Sequence, residues 1–246
     1  MDNSSDVRTG RGGVTLRDLT VGYRDRIAVE AVSGVFAAGS LTAIVGPNGA
    51  GKTTLLQAIA GLVRPRGGSI EVATAVVPAD LAYLPQSPAV DRDFPISVLE
   101  FAALGGWRTV GVLGRAPREL WSRGLGALEA LGLGKQADSM IAELSVGEFR
   151  RALFARVIVQ DAPIILLDEP FAGVDVVTSQ ELLRLVRRWH GEGRTVMAVL
   201  HDVDQVLATF PETLLLARKT IAWGETANAL STENIVAAGL RSERPA

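Results

Sequence analysis

The segment Gly46-Pro47-Asn48-Gly49-Ala50-Gly51-Lys52-Thr53 has the spacing G-x-x-x-x-G-K-[ST], and its residue types suit the binding of a polyphosphate. Glycines let successive backbone N–H groups come close to an anion and point at it together. Lys52 offers a charge to the terminal phosphates, and the Thr53 hydroxyl is placed to bind Mg2+. Gly46, Pro47, Asn48, Gly49, Ala50, Gly51, Lys52, Thr53 and Thr54 are therefore candidate nucleotide contacts. A second constellation, Ile164-Ile165-Leu166-Leu167-Asp168-Glu169, is an apolar run ending in two carboxylates. Asp168 is placed to hold Mg2+, directly or through water, and Glu169 could polarise an attacking water as general base. Alone, such a pair could equally be an acid-rich turn before Pro170; the phosphate loop upstream turns it into a candidate site.

These side chains need a scaffold that delivers them to one place. Leu41–Val45 is a strand-sized apolar run that leads into the glycine-rich loop, and Lys52 to Leu62 follows with helical spacing, Leu55, Ala58, Ile59 and Leu62 sharing a face. Val14 to Val21 alternates as a half-buried strand does, and Leu81 to Leu84 reads as another strand. Strands resume at Ile164–Leu167 and Thr195–Leu200, with a helix from about Ser179 to His190 between them. From about Ser97 to Gln160 the pattern is that of amphipathic helices, read as a helical subdomain inserted into the sheet. Apolar strands alternating with helices imply an α/β fold with a mainly parallel sheet covered on both faces. An antiparallel N-terminal hairpin would make that sheet mixed.

The bulk numbers narrow the classes of function. The chain has 246 residues, 48% of them hydrophobic and 21% charged, which suits a folded globular protein. A formal charge of -2 argues against a broad basic surface that wraps nucleic acid. The absence of cysteine rules out disulfides, thiolate metal sites and cysteine nucleophiles. Met1 to Gly13 is polar, without the apolar core of a secretory signal, and no run of about 18 apolar residues occurs. The expectation is a chain that does not span a membrane by itself, so any membrane role comes through a partner.

With these elements in order, the sequence closely resembles the ABC ATPase family over nearly its whole length. Tyr23 is similar to the family's adenine-stacking aromatic. Gln86, in Tyr83-Leu84-Pro85-Gln86, is similar to the glutamine that senses Mg2+ and links to the membrane partner. Leu144-Ser145-Val146-Gly147-Glu148 stands where the family signature, usually Leu-Ser-Gly-Gly-Gln, is found. Asp175, in Ala172-Gly173-Val174-Asp175, resembles the acid that follows the hydrolysis carboxylate, and His201 the histidine that contacts the γ-phosphate. Each has a plainer alternative: Tyr23 as a packing aromatic, Gln86 as a loop amide, His201 as a helix cap. Ser145-x-x-Glu148 is also a capping box, and either role places a helix start there. The signature departs from the family at Val146, in place of a glycine, and at Glu148, in place of an amide. A carboxylate there would repel ATP unless it turned back onto its own helix start. His190 has no motif around it and reads as structural.

The resemblance implies a P-loop NTPase (RecA-like) fold, with a mixed, mainly parallel sheet, an antiparallel N-terminal β-subdomain and an inserted α-helical subdomain. It implies residues 13–240 as one ABC ATPase domain, with the helical insertion at about 88–160, a disordered lead-in at 1–12 and a polar tail at 241–246. ATP and Mg2+ are the implied cofactors, with Thr53, Gln86 and Asp168 around the metal and Glu169, Gln86 and His201 in catalysis. Two copies are implied to pair head to tail, so that Ser145, Gly147 and Asp175 reach the partner's nucleotide. Further implied partners are an integral membrane permease, on the cytoplasmic face of the cell membrane, and indirectly an extracytoplasmic solute-binding protein. Asp91-Arg92-Asp93-Phe94-Pro95-Ile96-Ser97-Val98-Leu99-Glu100 resembles the ATPases of zinc, manganese and iron importers. Phe94, Pro95, Ile96 and Leu99 are candidate permease contacts, or else core of the helical block. Two isolated histidines without cysteine cannot make a selective zinc site, so metal selectivity would lie in the partners. The alternatives are a soluble, non-transport ABC ATPase and a catalytically weak regulatory cassette, the latter motivated by the altered signature.

Overall fold

A computed structural model of the chain describes residues 12–24, 26–73, 81–86, 91–109 and 117–240. The expected lead-in (Gly12 apart), the expected tail and the first residues of the expected helical block lie outside the described residues. The strands are β1 (Val14–Tyr23), β2 (Arg26–Phe36), β3 (Leu41–Val45), β4 (Gly67–Val72), β5 (Leu81–Leu84), β6 (Ile164–Asp168), β7 (Thr195–Val199), β8 (Glu212–Ala217) and β9 (Lys219–Glu225). The helices are α1 (Lys52–Ile59), α2 (Val98–Ala103), α3 (Arg118–Ala130), α4 (Val146–Gln160), α5 (Val176–Gly191), α6 (Val203–Thr209), α7 (Thr226–Ala229) and α8 (Thr232–Ala237).

Every residue of β3, β6 and β7 is buried, which explains why these runs are apolar without alternation. Successive side chains nevertheless go to opposite cores. Leu41, Ala43, Val45, Ile165, Leu167, Val196 and Ala198 pack into one cluster with α4 and α5, whereas Ile44, Ile164, Leu166, Met197 and Val199 pack into another with α1, β1 and β2. The six-stranded sheet runs β5-β6-β7-β3-β8-β9, parallel from β5 to β8. It is mixed because β9 pairs antiparallel with β8. The N-terminal hairpin is not the source of the mixing, contrary to expectation. β1 pairs on its other edge with β4, so the hairpin belongs to a separate antiparallel sheet, β2-β1-β4.

Helix α1 ends at Ile59, earlier than the spacing of its apolar residues suggests, and Leu62 is 64% exposed. Gly61 sits at φ 73, with Leu62 N–H donating to Gln57 O and Gly61 N–H to Ala58 O. This is the paired closing motif that glycine permits after a helix, and it turns Leu62 away from the helical face. Between β5 and β6 the chain forms α2, α3 and α4. Phe101 on α2 stacks on Phe149 of α4 at 5.7 Å, and Phe154 of α4 stacks on Trp189 of α5 at 5.9 Å, which locks α4 between the helical block and the sheet. Helix α2 starts with its own capping box, Ser97 with Glu100, a second S-x-x-E match in the sequence.

Candidate functional site

Four neighbouring parallel strands end at the same edge of the sheet, and each delivers a candidate residue there. The loop from Gly46 follows β3, Asp168 closes β6, His201 lies two residues beyond the end of β7, and Gln86 two residues beyond the end of β5. Ligands of open α/β sheets bind at this carboxyl edge. The loop is shaped by two glycines with no room for a side chain. A Cβ on Gly46 would stand 2.0 Å from Leu216 O, and one on Gly51, at φ 96, would stand 2.3 Å from Ala28 O. Lys52 is buried and its Nζ donates to Gly46 O at 2.7 Å and Pro47 O at 3.0 Å, so the ammonium is held across the loop. Burial lowers its pKa, and the nearby Glu169 and Asp168 partly oppose that.

Asp168 is 0% exposed, and burial raises its pKa against the hydrogen bond from Thr53. Thr53 Oγ1 donates to Asp168 Oδ1 at 3.1 Å. A hydroxyl beside a buried carboxylate is a set of hard oxygen donors that fits Mg2+. Glu169 adopts φ 49, a left-handed conformation that costs roughly 1–2 kcal/mol for a residue with a side chain. Its N–H still donates to Val199 O, and its Oε1 lies 2.6 Å from His201 Nε2. Strain of this kind collects where a side chain has to be aimed. His201 does not cap the next helix: Asp202 does, accepting from Gln205 N–H at 3.0 Å.

Tyr23 is 49% exposed and lines a cleft of about 410 Å3 together with Asn48, Gly49, Ala50, Gly51, Lys52, Thr53, Thr54, Gln86 and Glu169. Ring and loop share one cleft. Arg26, Ile27 and Ala28 of β2 also line it, and no motif in the sequence marks them. Two further residues escaped the sequence reading. Tyr83 Oη donates to Asp168 Oδ2 at 3.4 Å, and Gln57 Oε1 accepts from Tyr23 Oη at 2.6 Å. Burial, then the Asp168 charge, push the Tyr83 pKa up, so its hydroxyl stays a donor.

Ser145, Gly147 and Asp175 do not line that cleft. They form a second cluster, at the starts of α4 and α5. Ser145 Oγ accepts from Glu148 N–H at 3.3 Å, while Glu148 Oε2 accepts from Ser145 N–H at 2.9 Å and Ser145 Oγ at 2.7 Å. Glu148 is thus turned back onto its helix start, and the Ser145 hydroxyl holds its carboxyl below the usual range. Asp175 caps α5, accepting from Thr178 N–H and Oγ1, and these bonds lower its pKa. Arg150 of α4 donates to Ala172 O at 3.2 Å, and Val146 Cγ1 would lie 3.6 Å from a Cβ on Gly173, so the two helix starts are tied together.

A strand–loop–helix phosphate cradle with a strand-end acid pair defines a nucleoside-triphosphate-binding α/β protein. Residues 29–172 match the family model described as ABC transporter, and the chain belongs to that family. It is 35% identical over 223 residues to the manganese transport system ATP-binding protein MntB of Listeria monocytogenes, covering 89% of this chain and 93% of that protein. It is 37% identical over 225 residues to the zinc transport system ATP-binding protein TroB of Treponema pallidum, covering 90% and 85%. Among solved structures, an inward-facing putative metal-chelate type ABC transporter aligns with TM-score 0.82 and 28% identity, over 93% of this chain and 89% of that one.

Proposed function

We propose that this chain is the ATP-hydrolysing subunit of an importer of a divalent metal, zinc or manganese, working as a head-to-tail pair on the cytoplasmic face of a membrane permease. The reading is carried by the convergence of Thr53, Asp168, Glu169 and His201 at the carboxyl ends of adjacent strands, beside the Lys52 loop. Loop N–H groups and Lys52 bind the phosphates, and Tyr23 stacks on the base. Thr53 and Asp168, with Gln86 nearby, would hold Mg2+, which when bound neutralises charge on the phosphate oxygens. Glu169 polarises the attacking water, and His201, bonded to it, fixes the direction of its carboxylate. Ser145, Gly147 and Asp175, gathered at the starts of α4 and α5 away from the Lys52 loop, act on the nucleotide of the second copy.

The permease side rests on the helical block, read as a unit spanning about 88–160. Phe94 is 60% exposed and, with Pro95, Trp107 and Trp121, lines an apolar hollow of about 260 Å3 that suits a short amphipathic helix. Ile96 lines the same hollow while also packing against the core, whereas Leu99 packs against the core without lining it. Among the described residues no helix is long and apolar enough to cross a membrane, and no group of three or more His, Cys, Asp or Glu could hold a metal ion. In this reading transport and metal choice belong to partners, the permease and a solute-binding protein. The test is affinity purification of the tagged chain from membranes. An integral membrane permease should co-purify, and zinc or manganese with the solute-binding protein should raise ATPase of the assembled complex. Stimulation by neither metal would reject metal import.

A further inference from the structure

Glu169, the proposed base, sits at φ 49, and a strained residue keeps such a conformation only while its surroundings hold it there. Beyond it the chain folds into a tight turn, in which Ala172 N–H donates to Glu169 O at 3.2 Å. The far end of that turn is gripped from another element. Arg150, in the second turn of α4, donates from Nη2 to Ala172 O at 3.2 Å. One helical turn earlier on the same face, Val146 Cγ1 would lie 3.6 Å from a Cβ on Gly173, so one face of α4 lies along the turn. Arg150 is only 9% exposed, and its Nη1 is buried without a hydrogen-bond partner among the described residues. A guanidinium with an orphaned donor in that place costs stability, and an apolar side chain of similar length would fill the space without that cost. Packing alone therefore does not account for an arginine here.

We propose that Arg150 is a positioning residue for Glu169: from α4 it fixes the 169–172 turn, and through the turn the direction in which the Glu169 carboxylate points. This rests on the reading of Glu169 as the base that polarises the attacking water. Without Arg150 the Ala172 carbonyl loses its donor and can swing. The turn then loosens, and Glu169 can relax out of its left-handed conformation and carry its carboxylate away from the water. Arg150 is not among the residues that line the cleft beside Lys52, so its loss acts on turnover rather than on ATP affinity.

The test compares Arg150→Met with the unaltered full-length chain in ATPase assays and thermal melts. Methionine fills the same space without charge or donor. The expected result is a kcat lower by about tenfold or more, a KM for ATP within about threefold, and a melting temperature unchanged or raised. An arginine that only packed α4 onto the turn would give the opposite pattern, a lower melting temperature with the kcat of the folded protein retained. The link to Glu169 is read from a double variant by single-turnover hydrolysis. Once Glu169→Gln has removed the base, adding Arg150→Met is expected to slow hydrolysis by less than about twofold further. A normal kcat in Arg150→Met, or losses that multiply in the double variant, would overturn the proposal. Should Arg150→Met fail to fold, Arg150→Gln, whose amide donor has a shorter reach, must lower kcat likewise without weakening ATP binding. Near-normal turnover in Glu169→Gln alone rejects the reading of Glu169 and the positioning role with it. Turnover lost there but normal in Arg150→Met rejects the positioning role alone.

Discussion

Asp168 is the residue at which the site works against the fold. Its carboxyl is buried, and burial raises its pKa above the ordinary carboxylate value. Between the ordinary and the raised value the folded chain binds more protons than the unfolded one, so stability falls as pH rises through that window. Above the raised value the full cost of the buried charge remains. Asp168→Asn should therefore raise the melting temperature of the nucleotide-free protein at neutral pH. That gain should shrink as pH falls through the raised value and vanish below the ordinary range, as pH-dependent thermal unfolding would read. Glu169 carries the complementary prediction. Glu169→Gln keeps the shape and the proximity to His201 but removes the base, so steady-state ATPase should fall by about a hundredfold or more while ATP affinity stays within about threefold. Turnover close to normal would remove Glu169 from its role.

At the scale of elements, glycines separate what the fold needs from what the site needs. Gly51→Ala puts a Cβ into Ala28 O at a positive φ, and should cost roughly 2 kcal/mol or more and abolish ATP binding. Gly147 of α4 is different, since a Cβ there meets nothing within 4 Å. Gly147→Ala should leave stability unchanged or raise it by up to about 1 kcal/mol, yet lower ATPase if that surface meets a second copy's nucleotide. Thermal melts paired with ATPase assays check both. This contrast also marks what could be read beforehand. The phosphate loop, the β6 acid pair and the Ser145–Glu148 capping box were legible because each depends on residues within a few positions. Tyr83 and Gln57 were not, because Tyr83 meets Asp168 only through the β5–β6 register and Gln57 meets Tyr23 only through the packing of α1 on β1. Likewise the pairing of β1 with β4 is non-local: strand patterning alone put the N-terminal hairpin in the main sheet, and the family resemblance, not the patterning, implied the separate antiparallel β-subdomain that is observed. The early end of α1 hinged on Gly61, whose signal as a helix stop was present but outweighed by the apolar spacing that reached Leu62.

For the molecule as a whole, the two residue clusters bear on how copies would meet in the proposed head-to-tail pair. Cleft and phosphate loop lie at one place, and the tied starts of α4 and α5 at another, with Val146, Val176 and Val177 exposed around the latter. Exposed valines beside Ser145 and Asp175 fit a surface that is covered on pairing. The decisive measurement is complementation between two inactive variants, Lys52→Ala, which spoils the loop, and Ser145→Arg, which spoils the helix start. Each alone should show almost no ATPase. Head-to-tail pairing places one intact loop opposite one intact helix start in every mixed pair. An equimolar mixture should therefore recover roughly a quarter of wild-type activity if copies mix at random and the sites act independently. No recovery, from variants that are both folded and able to pair, would contradict a nucleotide site shared between two chains.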